Sequence, residues 1–182
     1  AYTDPLTGLA NSRGLVRHME RLLHSSRVSG RPEDSQFSVV MLDVDRFKEV
    51  NDTMGHLRGD DLLREIATTL SKLSRPGDVA CRYAGDEFVL LLPEASLEQA
   101  DRIAVRVRRV IYAIPSVDGR VKIGASVGVA SFPGDGSDGR TLIHAADRRM
   151  YEDKFHRRRM PTVRDVVGGK PELKPEKIPL LR

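Results

Sequence analysis

The order of hydrophobic periodicities predicts an α/β sandwich built on a mixed, mainly antiparallel central sheet flanked by helices. Three observations carry this prediction. Apolar stripes at helical spacing alternate with short apolar runs along the chain. Two of those runs are separated only by Ala84-Gly85-Asp86-Glu87, which makes them a hairpin. The last run alternates apolar residues with small ones, as a strand covered on both faces does.

The first stripe is Leu15, Val16, Met19, Leu22 and Leu23, a helix that Asn11 or Ser12 can cap. Arg27 to Gln36, with Gly30 and Pro32, reads as a polar loop. Phe37 to Val44 is a buried strand. Leu62, Leu63, Ile66, Leu70 and Leu73 mark the next helix, with Asp60 as its N-cap and Pro76-Gly77 as a type II turn after it. Val79 to Tyr83 and Phe88 to Leu92 are the strands of the hairpin. Its Ala84-Gly85 order predicts a type I turn with a bulge, positive φ falling on Gly85 and ordinary φ on Ala84. Ser96 and Gln99 have capping-box spacing ahead of the stripe Ala100, Ile103, Ala104, Val107 and Ile111. Ile123 to Val129 is a strand, and a last helix runs from about Thr141 to Arg157. Beyond Gly168, three prolines and repeated Lys and Glu read as a flexible tail.

Composition narrows the function classes. A chain of 182 residues suits one domain, and 40% hydrophobic with 31% charged residues is ordinary for a globular protein. The longest apolar stretch, Phe88 to Leu92, is too short for a bilayer, so no membrane insertion is expected. No secretory pattern opens the chain, and the lone Cys81 fits a reducing, cytoplasmic setting. The net charge of +4 is misleading as a sign of nucleic acid. Residues 148–182 hold 11 Lys and Arg against 5 Asp and Glu, whereas residues 1–147 hold 19 against 21. The globular part therefore lacks the basic stripe that nucleic-acid binding requires. An alanine at position 1 points to a piece of something longer.

Two acidic clusters carry the chemistry. In Val39-Val40-Met41-Leu42-Asp43-Val44-Asp45 an apolar strand runs into carboxylates, and Asp43 and Asp45 share a face if the strand stays regular. The hairpin tip carries Asp86 and Glu87. If the strands are neighbours, Asp43 and Asp86 converge, and hard oxygen ligands of that kind suit Mg²⁺ beside substrate phosphates. Either cluster alone reads as strand-end carboxylates solvating a loop. Together, each fused to an apolar run, they point to metal.

The sequence resembles the GGDEF domains of bacterial diguanylate cyclases, a nucleotidyl-cyclase, palm-like fold. The segments that carry this are Asp4-Pro5-Leu6-Thr7-Gly8-Leu9-Ala10-Asn11, Asp43-Val44-Asp45-Arg46-Phe47-Lys48, Asn51-Asp52, Gly55-His56, Gly59-Asp60, Ala84-Gly85-Asp86-Glu87-Phe88, Ser126-Val127-Gly128-Val129-Ala130 and Ala146-Asp147. They span roughly Asp4 to Arg158, which implies a domain over 1–160 and an extension over 161–182. The implied activity is condensation of two GTP into cyclic di-GMP with release of pyrophosphate. It implies two domains facing each other as a homodimer, and an upstream sensory or receiver domain. Asp43, Asp86 and the Val44 carbonyl would hold Mg²⁺, or Mn²⁺ in its place. Glu87 would assist a second metal or take the hydroxyl proton. Lys48, the backbone of Arg46 to Lys48, Lys154 and Arg158 would contact phosphates, and Asn51 and Asp60 the guanine. Arg75 and Asp78 of an R-x-x-D pattern, with Arg106, would form a product-inhibition site.

Three departures from the family pattern bear on activity. Ala84 replaces the signature's first glycine, Asp153 a usual alanine and Arg157 a usual glycine. Asp153 sets an acid beside Lys154, which is expected to weaken phosphate attraction. Two readings follow: an active cyclase, or a degenerate domain that binds GTP or cyclic di-GMP without synthesis.

Overall fold

The computed structural model describes residues 1–29, 36–115 and 119–159. Its elements are α1 (Ser12–Ser29), β1 (Phe37–Asp45), α2 (Phe47–Met54), α3 (His56–Leu73), β2 (Val79–Ala84), β3 (Glu87–Pro93), α4 (Leu97–Ala113), β4 (Gly124–Phe132) and α5 (Gly139–Arg159). The strands order as β2-β3-β1-β4, and all three pairings are antiparallel. The parallel component expected of a mixed sheet is confined to an isolated bridge between Ala10 and Cys81.

Alternation along β1 splits the core in two. Val40, Leu42 and Val44 face one way and pack with Val50 of α2, Leu62 and Ile66 of α3, and Val107 and Ile111 of α4. Val39 and Met41 face the other way, against Leu15 and Met19 of α1 and Leu142 and Ala146 of α5. Covered on both sides, β1 is continuously apolar from Val39 to Leu42, and Ser38 before that run is buried with its hydroxyl donating to Ala95 O at 2.7 Å. Asp43 shares the parity of Met41, so it emerges on the α1/α5 side.

Several elements differ from the sequence expectation. α1 continues through Arg27 to Ser29, so that stretch is helical and not loop. α2 was not anticipated, because its one buried residue, Val50, makes no stripe. α3 begins at His56 with Gly55 as its N-cap, so Asp60 lies inside the helix and does not cap it. The Ser96–Gln99 capping box has both of its hydrogen bonds. Cys81 is wholly buried, as core packing requires, and burial pushes its thiol up to about 12. Residues 161–182, including the expected tail, lie outside the described residues. No helix among the described residues is long and apolar enough to cross a membrane.

Both outer strands have several of their outward backbone groups taken. At β2, Arg82 N–H donates to Ala10 O at 2.9 Å and Ala10 N–H to Ala80 O at 3.2 Å. At β4, Val127 N–H donates to the Asp153 carboxylate (2.9 Å) and Val127 O accepts from Arg108 (3.3 Å). Arg149 donates to Val129 O (2.6 Å), Ser131 N–H donates to Asp135 (2.9 Å), and Arg149 and Asp135 pair with each other. α5 sits directly on the β4 backbone at Gly128, where a Cβ would overlap Ala146 O and Met150 N.

Candidate active site

The hairpin tip turns on two residues. Ala84 pairs with Glu87, leaving Gly85 and Asp86 as the loop, with a register shift between Arg82 and Ala84. Gly85 has φ 43° and Ala84 is not among the positive-φ residues, as the sequence predicts. The turn itself differs: glycine comes first of the two central residues and Asp86 has ordinary φ, the sign order of a type II′ turn and not of type I. The methyl of Ala84 is tolerated because it belongs to the strand. Arg82 braces the tip, donating from Nε to Gly85 O (2.9 Å) and from Nη1 to both Asp4 carboxylate oxygens (3.3 Å each). Nothing in the sequence pattern marks that pair, since the partners lie 78 residues apart.

The register brings the acids together. Asp43 lies opposite Glu87 across β1 and β3, and Val44 N–H donates to Asp86 O at 3.2 Å. Asp43 is only 7% exposed, and Lys154 of α5 donates to its Oδ1 at 2.7 Å. Asp45 accepts a 2.6 Å hydrogen bond from Ser126, on the same side of the sheet. Burial raises the carboxyl of Asp86, and the charge of Asp43 adds to it. Burial also raises Glu87, with Asp43, Asp147 and Asp86 pushing further. Asp45 is raised by burial and by Asp43, against the Ser126 hydrogen bond. The cluster therefore holds more negative charge than its lysine offsets.

Such a set fits a hard divalent cation: two carboxylates, Asp43 and Asp86, the Val44 carbonyl near them, and an ammonium already standing as a cation on Asp43. Among the described residues, no three His, Cys, Asp or Glu side chains gather into a cage of their own. That leaves ligands for water and phosphate to supply, which is how Mg²⁺ is commonly held. A groove of about 1820 Å³ runs between α1 and α5, lined in part by Met19, Met41, Tyr83 and Ile143, and touches this cluster through Glu87.

The remaining positions are distributed as follows. Arg46 adopts a left-handed conformation (φ 66°) at the N-cap of α2 and provides no side-chain cap. Its guanidinium is turned away onto Glu49 (2.8 and 2.6 Å), so what Arg46 offers an anion is backbone. The amides opening α2, at Phe47 and Lys48, are the kind of helix start that takes phosphate. Lys48 is exposed there. Asn51 Oδ1 is buried with no hydrogen-bond partner, packed where a Cβ on Gly59 would overlap it. Asp60 follows Gly59 in α3, half-buried. Arg158 is in α5, with its side chain outside the described residues. Asp153, which the sequence reading set against the phosphates, is instead engaged with Val127 N–H, Arg108 (2.8 Å) and Arg157 (3.3 Å). The two C-terminal departures thus pair with each other.

Arg75 and Asp78 form a closed turn. Gly77 has φ 97° and Asp78 N–H donates to Arg75 O at 3.0 Å, as in the expected type II geometry. Arg75 N–H and Nε both donate to the Asp78 carboxylate, whose side chain is 3% exposed, and Arg75 Nη2 donates to Pro93 O. Arg106 stands exposed on α4.

Residues 1–160 match the family described as diguanylate cyclase, GGDEF domain. The response regulator PleD of Caulobacter vibrioides is 37% identical over 158 residues, covering 85% of this chain and 34% of PleD. Diguanylate cyclase VdcA of Vibrio cholerae is 41% identical over 160 residues, covering 85% of this chain and 44% of VdcA. The chain spans between a third and a half of the length of these curated relatives. The crystal structure of the GGDEF domain of DgcB from Caulobacter crescentus, in complex with c-di-GMP, superposes with a TM-score of 0.75 at 26% identity, covering 86% of this chain and 91% of that one. With its sheet order, its hairpin acids and a family match across all described residues, the chain belongs to the GGDEF family of diguanylate cyclase domains.

Proposed function

We propose that this domain condenses two GTP into cyclic di-GMP with release of pyrophosphate, acting as a homodimer in which each copy holds one GTP. The observation that carries the reading is the meeting of Asp43, Asp86 and Glu87 at one rim of the sheet with Lys154 among them. Asp43, Asp86 and the Val44 carbonyl would hold Mg²⁺ or Mn²⁺, which when bound neutralises phosphate charge. The start of α2 with Lys48, and Lys154 with Arg158, orient the triphosphate so that its α-phosphorus faces the partner's 3′-hydroxyl. Glu87, whose carboxyl is raised, is suited to take that hydroxyl's proton. The unpartnered Asn51 Oδ1 and the Asp60 carboxylate offer acceptors to the N–H edge of guanine, where adenine presents an acceptor of its own. Product inhibition at Arg75, Asp78 and Arg106 requires Arg75 to leave its contacts in the closed turn.

The test is incubation of the protein with GTP or ATP and Mg²⁺ and chromatography of the products. GTP is expected to give cyclic di-GMP and ATP nothing. Asp86→Ala and Glu87→Ala should each lower turnover by at least about a hundredfold. Near-normal turnover in either variant would sink the assignment of the acids. Binding of GTP or cyclic di-GMP without synthesis would establish a signalling module in place of an enzyme.

A further inference from the structure

We infer that Lys154 is an internal counter-cation that occupies Asp43 in the ion-free protein and must be displaced before a divalent ion can bind there. The inference rests on the reading of Asp43 as a metal ligand. A carboxylate as buried as Asp43 needs a partner, and Lys154 supplies it at 2.7 Å. The ammonium is held on one short link. Its neighbour Asp153 ties this turn of α5 to Val127 N–H and to Arg108, so the helix backbone is fixed while the lysine side chain, 26% exposed, can swing outward. Lys154 also offsets the charge of Asp45, Asp86 and Glu87, so it stabilises the whole cluster and not one member.

An ammonium and a divalent ion on one buried carboxylate repel each other. The coupling is reciprocal: the ion weakens the Lys154–Asp43 pair by the factor by which the pair weakens the ion. The displaced ammonium then lies at the mouth of the cluster, where an anionic triphosphate gives it a new partner. Ion entry and the release of Lys154 toward phosphate become a single exchange. The domain would hold divalent ions poorly until nucleotide arrives to receive the lysine.

The experiment is titration of the nucleotide-free protein with Mn²⁺, followed by calorimetry and thermal shift, for the wild type, Lys154→Gln, Lys154→Met and Asp43→Asn. The two lysine variants are expected to bind Mn²⁺ about tenfold or more tightly than wild type, and Asp43→Asn to lose binding. Unchanged or weaker affinity in both lysine variants overturns the inference and leaves the metal reading standing. Failure of the wild type and the lysine variants alike to bind Mn²⁺ removes the metal-ligand reading and the inference with it. Because an unpaired Asp43 could prevent folding, the wild type is also read directly after ¹³C-methylation of its lysines. The signal missing from Lys154→Arg should shift as Mg²⁺ binds. A signal unmoved while Mg²⁺ binds overturns the displacement.

Discussion

At the scale of single residues, Ala84 and Gly59 show how a small side chain can matter for opposite reasons. Ala84 lies in the β2 strand with ordinary φ, one position before the turn, so its methyl meets no conformational penalty. Ala84→Gly should therefore leave turnover nearly unchanged while costing about 0.5–1 kcal/mol of stability through chain entropy, read by product assay and denaturant melt. Activity that appears only after this change would show that the methyl blocks the nucleotide. Gly59 is the reverse case. A Cβ there collides with the Asn51 amide tip, which can swing aside cheaply, and alanine is the better helix former by about 1 kcal/mol. Gly59→Ala is expected to hold or raise the melting temperature while raising KM for GTP, because Asn51 would leave the proposed base site. An unchanged KM would take Asn51 out of guanine recognition. The acids Asp43, Asp86 and Glu87 were legible in the sequence because Asp43 ends one apolar run and Asp86-Glu87 opens another. Asn51's orphaned oxygen was not, since it arises from packing between two helices.

Among the elements, α5 governs the site from the face of the sheet on which Asp43 emerges. It carries Lys154, and its closest approach is to bare backbone at Gly128. Gly128→Ala meets Ala146 O and Met150 N, neither of which can rotate away, so the whole helix must lift. The expected cost is about 1–3 kcal/mol, with the melting temperature falling about 2–4 °C per kcal/mol. Turnover should fall as well, because Lys154 loses its reach; a variant that melts lower with full activity would uncouple the helix from the site. The strands and long helices were legible from periodicity alone. α2 was hidden because eight residues with one buried side chain leave no stripe, and its start is set by a left-handed Arg46 that no pattern announces. The turn at the tip was misplaced by one residue for a related reason. Ala84-Gly85 and Gly85-Asp86 are both plausible turn pairs, and the bulge that selects between them lies upstream, between Arg82 and Ala84.

For the molecule as a whole, the proposed reaction gives each domain half of the reactants, so specific activity should rise with protein concentration. A rate per chain that stays flat on dilution would mean a preformed tight dimer or a different reaction. How two copies meet follows from the way the sheet is finished. With the N-terminal segment laid along β2 and the side chains of Arg108, Asp153, Arg149 and Asp135 covering β4, neither outer strand has a ready ladder to lend another chain. Such edges resist strand addition, the route that leads to permanent pairing and to fibrils. On the proposed reaction, two copies would meet through side chains and the nucleotides they carry, an encounter that comes apart again. On that reading, a signalling output that must switch off would benefit from the reversibility, and any segment that draws two copies together would gain control of the rate without touching the chemistry.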